Sequence, residues 1–130
     1  MDEVPGLWRS PFQAMMGFRL VEWRDGWAKV VLDVRPEFLN RTGVLHGGVL
    51  ATMLDCSLGY AACFSPDSER ASVTISLTTG YLAPASDGML VATGKVDGGG
   101  RKIVACTGEV RHGEGGRLLA VGQGSFKRLR

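Results

Sequence analysis

With 130 residues, 45% of them hydrophobic and 22% charged, the chain has enough material for one core, and it carries no low-complexity tract. A formal net charge of +2, and basic residues that form no stripe interleaved with aromatics, argue against a nucleic-acid binder. The terminal "FKRLR" reads as a solvated end. Cys56, Cys63 and Cys106 are an odd number without CxxC or metal-ligand spacing, so reduced thiols and a cytoplasmic location are expected. The start, "MDEVPGLWRS", has no apolar run of the secretory kind.

In chain order, "SPFQAMMG" predicts a short helix with Ser10 as N-cap, Pro11 at the first helical position and Gly17 as terminator. "FRLVEWRDGWAKVVLDVR" follows, and its Asp25-Gly26 pair signals a two-residue hairpin. In the second arm Ala28, Val30, Leu32 and Val34 alternate with Lys29, Val31, Asp33 and Arg35, giving an apolar face and a mostly wet one. Trp8, Trp23 and Trp27 are expected in the core or at an interface.

Residues 47–64 are apolar or small almost throughout, with Asp55 as the only charge. Eighteen residues are the lower limit for crossing a bilayer, and a central aspartate costs roughly 2.5–3.5 kcal/mol there. The segment is therefore predicted as a buried helix, and no membrane is expected as a partner. Beyond it, "ASVTISLTTGYLAP", "GMLVATGKV", "RKIVACTGEVR" and "RLLAVGQGSFKR" read as consecutive antiparallel strands, the later ones joined by the glycine turns "DGGG" and "HGEGG". No helix follows Gly98-Gly99-Gly100, so that run is a hairpin turn and not a phosphate loop. A helix apolar nearly all round needs cover on nearly all sides. The expected fold is α+β, a single domain over residues 1–130 with a curved antiparallel sheet wrapped around one long central helix.

On a helical wheel Asp55 shares a face with Gly48, Ala51, Thr52, Gly59 and Ala62, where another element can come close. The bulkier Val49, Leu50, Met53, Leu54 and Leu58 cover the remainder. Lying eight residues into the helix, Asp55 is no cap, and unpaired aspartates are seldom buried. His46-Gly47-Gly48 stands at the helix start, where unpaired backbone N–H groups and the helix dipole favour developing negative charge. A diglycine also suits a plain tight turn, and the tripeptide alone does not separate the two readings. Gly47 and Asp55 are about 12 Å apart along a helix, too far to touch one carbonyl. Joint action therefore requires Gly47 of one chain to meet Asp55 of another, in a symmetric dimer with two sites.

The pattern N-x-x-G-x-x-HGG-x6-D, formed by Asn40, Gly43, His46, Gly47, Gly48 and Asp55, resembles the hotdog-fold acyl-CoA thioesterases, in particular their phenylacetate-degradation (PaaI-like) branch. "YLAPA" at residues 81–85 and the Gly100-Arg101 turn match it too, and the resemblance runs from about Phe12 to Lys127. It implies that Asp55 is the nucleophile or the base that activates water. It also implies that the Gly47 N–H polarises the thioester carbonyl from the other subunit, with Gly48 lining the same substrate site. Asn40 and His46 would shape that pocket, and Thr74 would hold the water or the carboxylate. Two such dimers would form a tetramer. Arg101, Lys102 and Lys127 are candidates to meet the phosphates of coenzyme A, ordinary surface charge being the alternative.

A thioester is already activated, so a carbonyl polariser and a carboxylate suffice, and no cofactor is called for. His46 and His112 are the only histidines. His46 reads as a general base or as a helix-start residue donating a structural hydrogen bond. Cys56 neighbours Asp55 but points about 100° away from it, so it is read with Cys63 as core packing. Hydrolysis of an acyl-CoA, with phenylacetyl-CoA or another aryl-acyl-CoA as candidate, is the leading expectation. A hotdog acyl-thioester hydratase or dehydratase, which needs a histidine paired with a carboxylate, and a non-catalytic acyl-CoA-binding protein are the alternatives.

Overall fold

The computed structural model describes residues 1–7, 9–65 and 70–129; Trp8 and the final residue of "FKRLR" lie outside them. Helix α1, Pro11–Met16, begins where the Ser10 hydroxyl accepts from the Gln13 N–H and ends at Gly17, whose φ of +85° is the left-handed cap. Strands β1, Arg19–Arg24, and β2, Trp27–Asp33, form the hairpin around Asp25-Gly26. Ala28, Val30 and Leu32 are buried as the alternation requires. Val31 is buried as well, on the opposite face, where its cross-strand partners are Arg19 and Val91. A single 3-10 turn, Pro36–Phe38, leads toward helix α2, Gly47–Cys63. Four strands follow: β3, Ser72–Tyr81, β4, Met89–Gly99, β5, Ile103–His112, and β6, Arg117–Arg128.

All six strands join one antiparallel sheet in the order β1-β2-β4-β5-β6-β3, with α2 against one face. This is the hotdog arrangement expected from the sequence. The run of consecutive strands holds for β4, β5 and β6 but not for β3, which pairs with β6 at the far edge. Both sides of β4 are taken, by β2 and β5, so the chain after β3 must cross the sheet. Residues 82–88, which include Pro84, make that crossing.

The close seating of α2 comes from three glycines in one cross-strand row. Gly94 pairs with Gly108, and Gly108 with Gly122. A Cβ on Gly94 would lie 2.7 Å from the Ser57 carbonyl, and one on Gly108 would lie 2.5 Å from Leu58 Cδ1. The helix therefore rests on strand backbone, and Met53, Leu54 and Leu58 are fully buried beneath it. Its other face keeps a partly exposed strip of mostly small residues, Gly48, Ala51, Thr52, Asp55, Cys56 and Gly59. The sheet thus covers α2 less completely than its all-round apolarity suggested. No helix among the described residues is long and apolar enough to cross a membrane.

Candidate active site

The loop before α2 is organised by Asn40. Its Oδ1 accepts from the Thr42 N–H at 2.9 Å, the Thr42 hydroxyl at 2.8 Å and the Val44 N–H at 3.3 Å. Gly43, at φ +83°, completes the turn by donating to the Asn40 carbonyl. The loop delivers His46 to the N-cap position, where its Nδ1 accepts from the Gly48 N–H at 2.9 Å. The imidazole is thus an acceptor at the helix start, not the donor that sequence reasoning allowed for. Nδ1 carries no proton in this arrangement, which leaves Nε2 to carry one in the neutral ring.

The backbone donors of this turn are almost all engaged. Leu45 donates to the Ala85 carbonyl, His46 to the Phe38 carbonyl, Gly48 to the His46 ring and Val49 to the His46 carbonyl. The Gly47 N–H has no acceptor among the described residues. Tyr81 lies across this glycine and donates its hydroxyl to the Gly47 carbonyl at 2.9 Å. A Cβ at residue 47 would come within 3.2 Å of the Tyr81 Oη and Cζ, so a side chain there would press on the tyrosine ring.

Further along α2, Asp55 is partly exposed and its Oδ1 accepts from the Thr74 hydroxyl at 2.6 Å. One turn later Ser72 donates to the Gly59 carbonyl at 3.0 Å. Strand β3 therefore runs antiparallel to α2 and touches it at both ends of the exposed strip. Thr74 and Tyr81 are seven residues apart, an odd spacing that would put them on opposite faces of an unbroken strand. The register shift between Thr74 and Ser76 reverses the phase and turns both toward the helix.

Asp55 opens into a cavity of about 580 Å³ whose lining includes Phe12, Gln13, Trp23, Cys56, Tyr60 and Thr74. Trp23 packs edge-on against Tyr60 and Phe64 and donates its indole N–H to the Tyr60 carbonyl. Gln13, 2% exposed, accepts from the Tyr60 hydroxyl and donates to the Phe18 carbonyl, tying α1 to the wall. Burial, and secondarily the Asp55 charge, push the Cys56 thiol up to about 12, so it stays protonated and is no nucleophile. Burial likewise raises Cys63, and it raises Cys106 to about 11; all three cysteines are free. A second cavity, of about 640 Å³, sits at the helix start beside His46, Gly48 and Thr52 with Phe38 and Val49 as apolar lining.

The structure brings Asp55 and Thr74 together, and gathers Asn40, His46, Gly47 and Gly48 at the other end of the strip. It does not bring the two groups together within one chain: α2 is unbroken, so Gly47 and Asp55 stay about 12 Å apart along its axis. Arg101 and Lys102 lie in the β4–β5 turn, beside the end of β6 where the Arg128 N–H donates to the Lys102 carbonyl. Together with Lys127 they sit near the C-terminal end of α2, exposed and without an ion-pair partner among the described residues. Lys127 follows the inward Phe126 and faces outward with Val73 and Ile103. No three of the described His, Cys, Asp and Glu residues converge as metal ligands would.

Sequence reasoning assigned no functional role to Tyr81, Gln13, Tyr60 or Arg128, whose guanidinium donates to the Ala62 carbonyl at the end of α2. Tyr81 stood in a recognised motif, but its contact lies 34 residues away along the chain. Arg128 belongs to "FKRLR", read from sequence as a solvated end; β6 instead runs through Arg128, and Phe126 is 1% exposed in the core.

The family model described as Thioesterase superfamily matches residues 42–119. A solved structure of the conserved protein PA5202 from Pseudomonas aeruginosa is 34% identical, with a TM-score of 0.85, over 93% of this chain and 95% of that one. The medium/long-chain acyl-CoA thioesterase YigI of Salmonella typhimurium is 22% identical over 82% of this chain and 78% of its own length. The Escherichia coli PaaI protein of the phenylacetic acid degradation operon shares the fold, at TM-score 0.82 and 23% identity over 93% of this chain and 86% of that one. The family match covers more than half of the chain and includes His46, Gly47, Asp55 and Thr74: the protein belongs to the thioesterase superfamily, with the hotdog fold.

Proposed function

We propose that the protein hydrolyses an aryl-acyl-CoA, such as phenylacetyl-CoA, to the free acid and coenzyme A. The observation that carries this reading is Asp55, held by Thr74 at 2.6 Å at the mouth of a cavity walled by Trp23 and Tyr60. Acting as general base, Asp55 takes a proton from water while the water oxygen bonds to the thioester carbon. The carbonyl electrons move onto oxygen, and on their return the C–S bond breaks and the thiolate of coenzyme A leaves with a proton. Acting as nucleophile, the same carboxylate bonds to the thioester carbon, the C–S bond breaks and the coenzyme A thiolate leaves. Water then opens the resulting anhydride to the free acid and the restored carboxylate. In both routes the oxyanion is met by the partner subunit's Gly47 N–H, a helix-start donor without an acceptor among the described residues. Asn40 and His46 hold that donor's turn in shape, and Gly48 lines the approach.

The dimer this requires is supported by β3, an open ten-residue edge with Val73 46% and Ile75 54% exposed. A long apolar edge is a template for a second copy of itself. Pairing β3 with its two-fold mate sets the two small-residue strips of α2 side by side and antiparallel, and a tetramer forms when two dimers associate. Arg101, Lys102 and Lys127 are assigned to the phosphates of coenzyme A, and the three free thiols suit the cytoplasm. His46 spends Nδ1 on the helix cap and lies two turns from Asp55, which disfavours a hydratase built on a histidine–carboxylate pair.

The test is an acyl-CoA panel read by thiol release, on wild type and Asp55→Asn. Release that is fastest with aryl-acyl groups and drops about a hundredfold or more in the variant supports the reading, on the scale of losing an essential catalytic group. Hydration of an enoyl-CoA without thiol release, or binding without turnover across the panel, overturns it.

A further inference from the structure

We infer that Tyr81 is a positioning residue that aims the Gly47 N–H by clamping the peptide next to it. The inference rests on the reading of Gly47 as oxyanion donor. Tyr81 is 53% exposed, yet its hydroxyl is directed at the Gly47 carbonyl at 2.9 Å. The Gly47–Gly48 peptide is thereby held at both ends, its C=O by Tyr81 and its N–H by His46 Nδ1. Such clamping has a physical need. Residue 47 opens the helix, where no i−4 bond restrains the N–H, and glycine has the widest backbone freedom of any residue. An oxyanion donor works only when its direction is fixed to within roughly 10–20° before the substrate arrives.

The device is built into the strand. The register shift that follows Thr74 is what turns Tyr81 toward α2, so one strand orients the carboxylate at one end and the N–H at the other. The ring also lies 3.2 Å from where a Cβ at residue 47 would stand, so the tyrosine packs directly on the glycine it bonds.

The test is Tyr81→Phe, which keeps the ring and removes only the hydroxyl, measured beside wild type and Asp55→Asn. Expected is a fall in kcat of about five- to tenfold, the size of one hydrogen bond, with KM within about a factor of two, an unmoved pH profile and an unchanged melting temperature. The backbone order parameter of Gly47 from 15N relaxation should fall from a rigid value of about 0.85. Wild-type kcat, a loss carried by KM, or a loss of kcat with Gly47 as rigid as before overturns the inference. If wild type releases no thiol from any acyl-CoA, the functional reading fails first. The order parameter still decides the clamp, because it needs no turnover: a drop at Gly47 supports it and no drop overturns it.

Discussion

Substituting Gly94 by alanine tests whether α2 rests directly on strand backbone. The added Cβ would lie 2.7 Å from the carbonyl carbon and oxygen of Ser57 and 2.9 Å from the Leu58 nitrogen. These are backbone atoms of a helix whose buried side is locked by Met53, Leu54 and Leu58, so no flexible side chain can move aside. To reach an ordinary contact of about 3.5–4.0 Å the helix must lift by roughly 1 Å, and overpacking of that kind costs about 1–3 kcal/mol. Alanine recovers about 0.4–1 kcal/mol by restricting the unfolded chain. The net loss is then about 1–2 kcal/mol, or roughly 3–8 °C in melting temperature for a chain of this length. Urea unfolding at fixed protein concentration is the assay, with Gly98→Ala as control, because nothing lies within 4 Å of a Cβ there. Equal midpoints for the two variants would refute the glycine seat.

If β3 edges pair in the dimer, Ile75→Lys, which places a charge on the exposed edge of β3, gives a folded monomer in sedimentation equilibrium and abolishes thiol release. A fully active monomer would remove the need for a shared site. Stability should also fall in alkali. Burial raises Cys56 from 9.0 to about 12, Tyr60 from 10.0 to about 12 and Cys106 from 9.0 to about 11, so the folded state holds protons that the unfolded chain releases. That stabilisation is whole below about pH 9 and is lost as pH climbs toward 11–12, so the urea midpoint should decline over this window. A flat midpoint from pH 8 to 11 would contradict the burial of these groups.

Much of this molecule was legible residue by residue because the signals are local. Ser10, Pro11 and Gly17 bracket α1 within eight residues, Asp25-Gly26 places the hairpin, and period-two alternation marks β2. The pattern from Asn40 to Asp55 fits in one loop and the first nine residues of one helix, so its residues and the separation of its halves follow from helix rise alone. Strand order was not legible: β3 has the strand pattern of its neighbours, and nothing in it encodes β6 rather than β4 as partner. The same holds for the register shift after Thr74, which decides that Thr74 and Tyr81 both face α2. Gly94, Gly108 and Gly122 look like scattered turn formers until the pairing of β4, β5 and β6 lines them up under one helix. Periodicity and capping act within a few residues and are written in the chain. Partner choice and register are settled by packing among residues far apart in sequence, and that is where Asp55 acquires Thr74 and Gly47 acquires Tyr81.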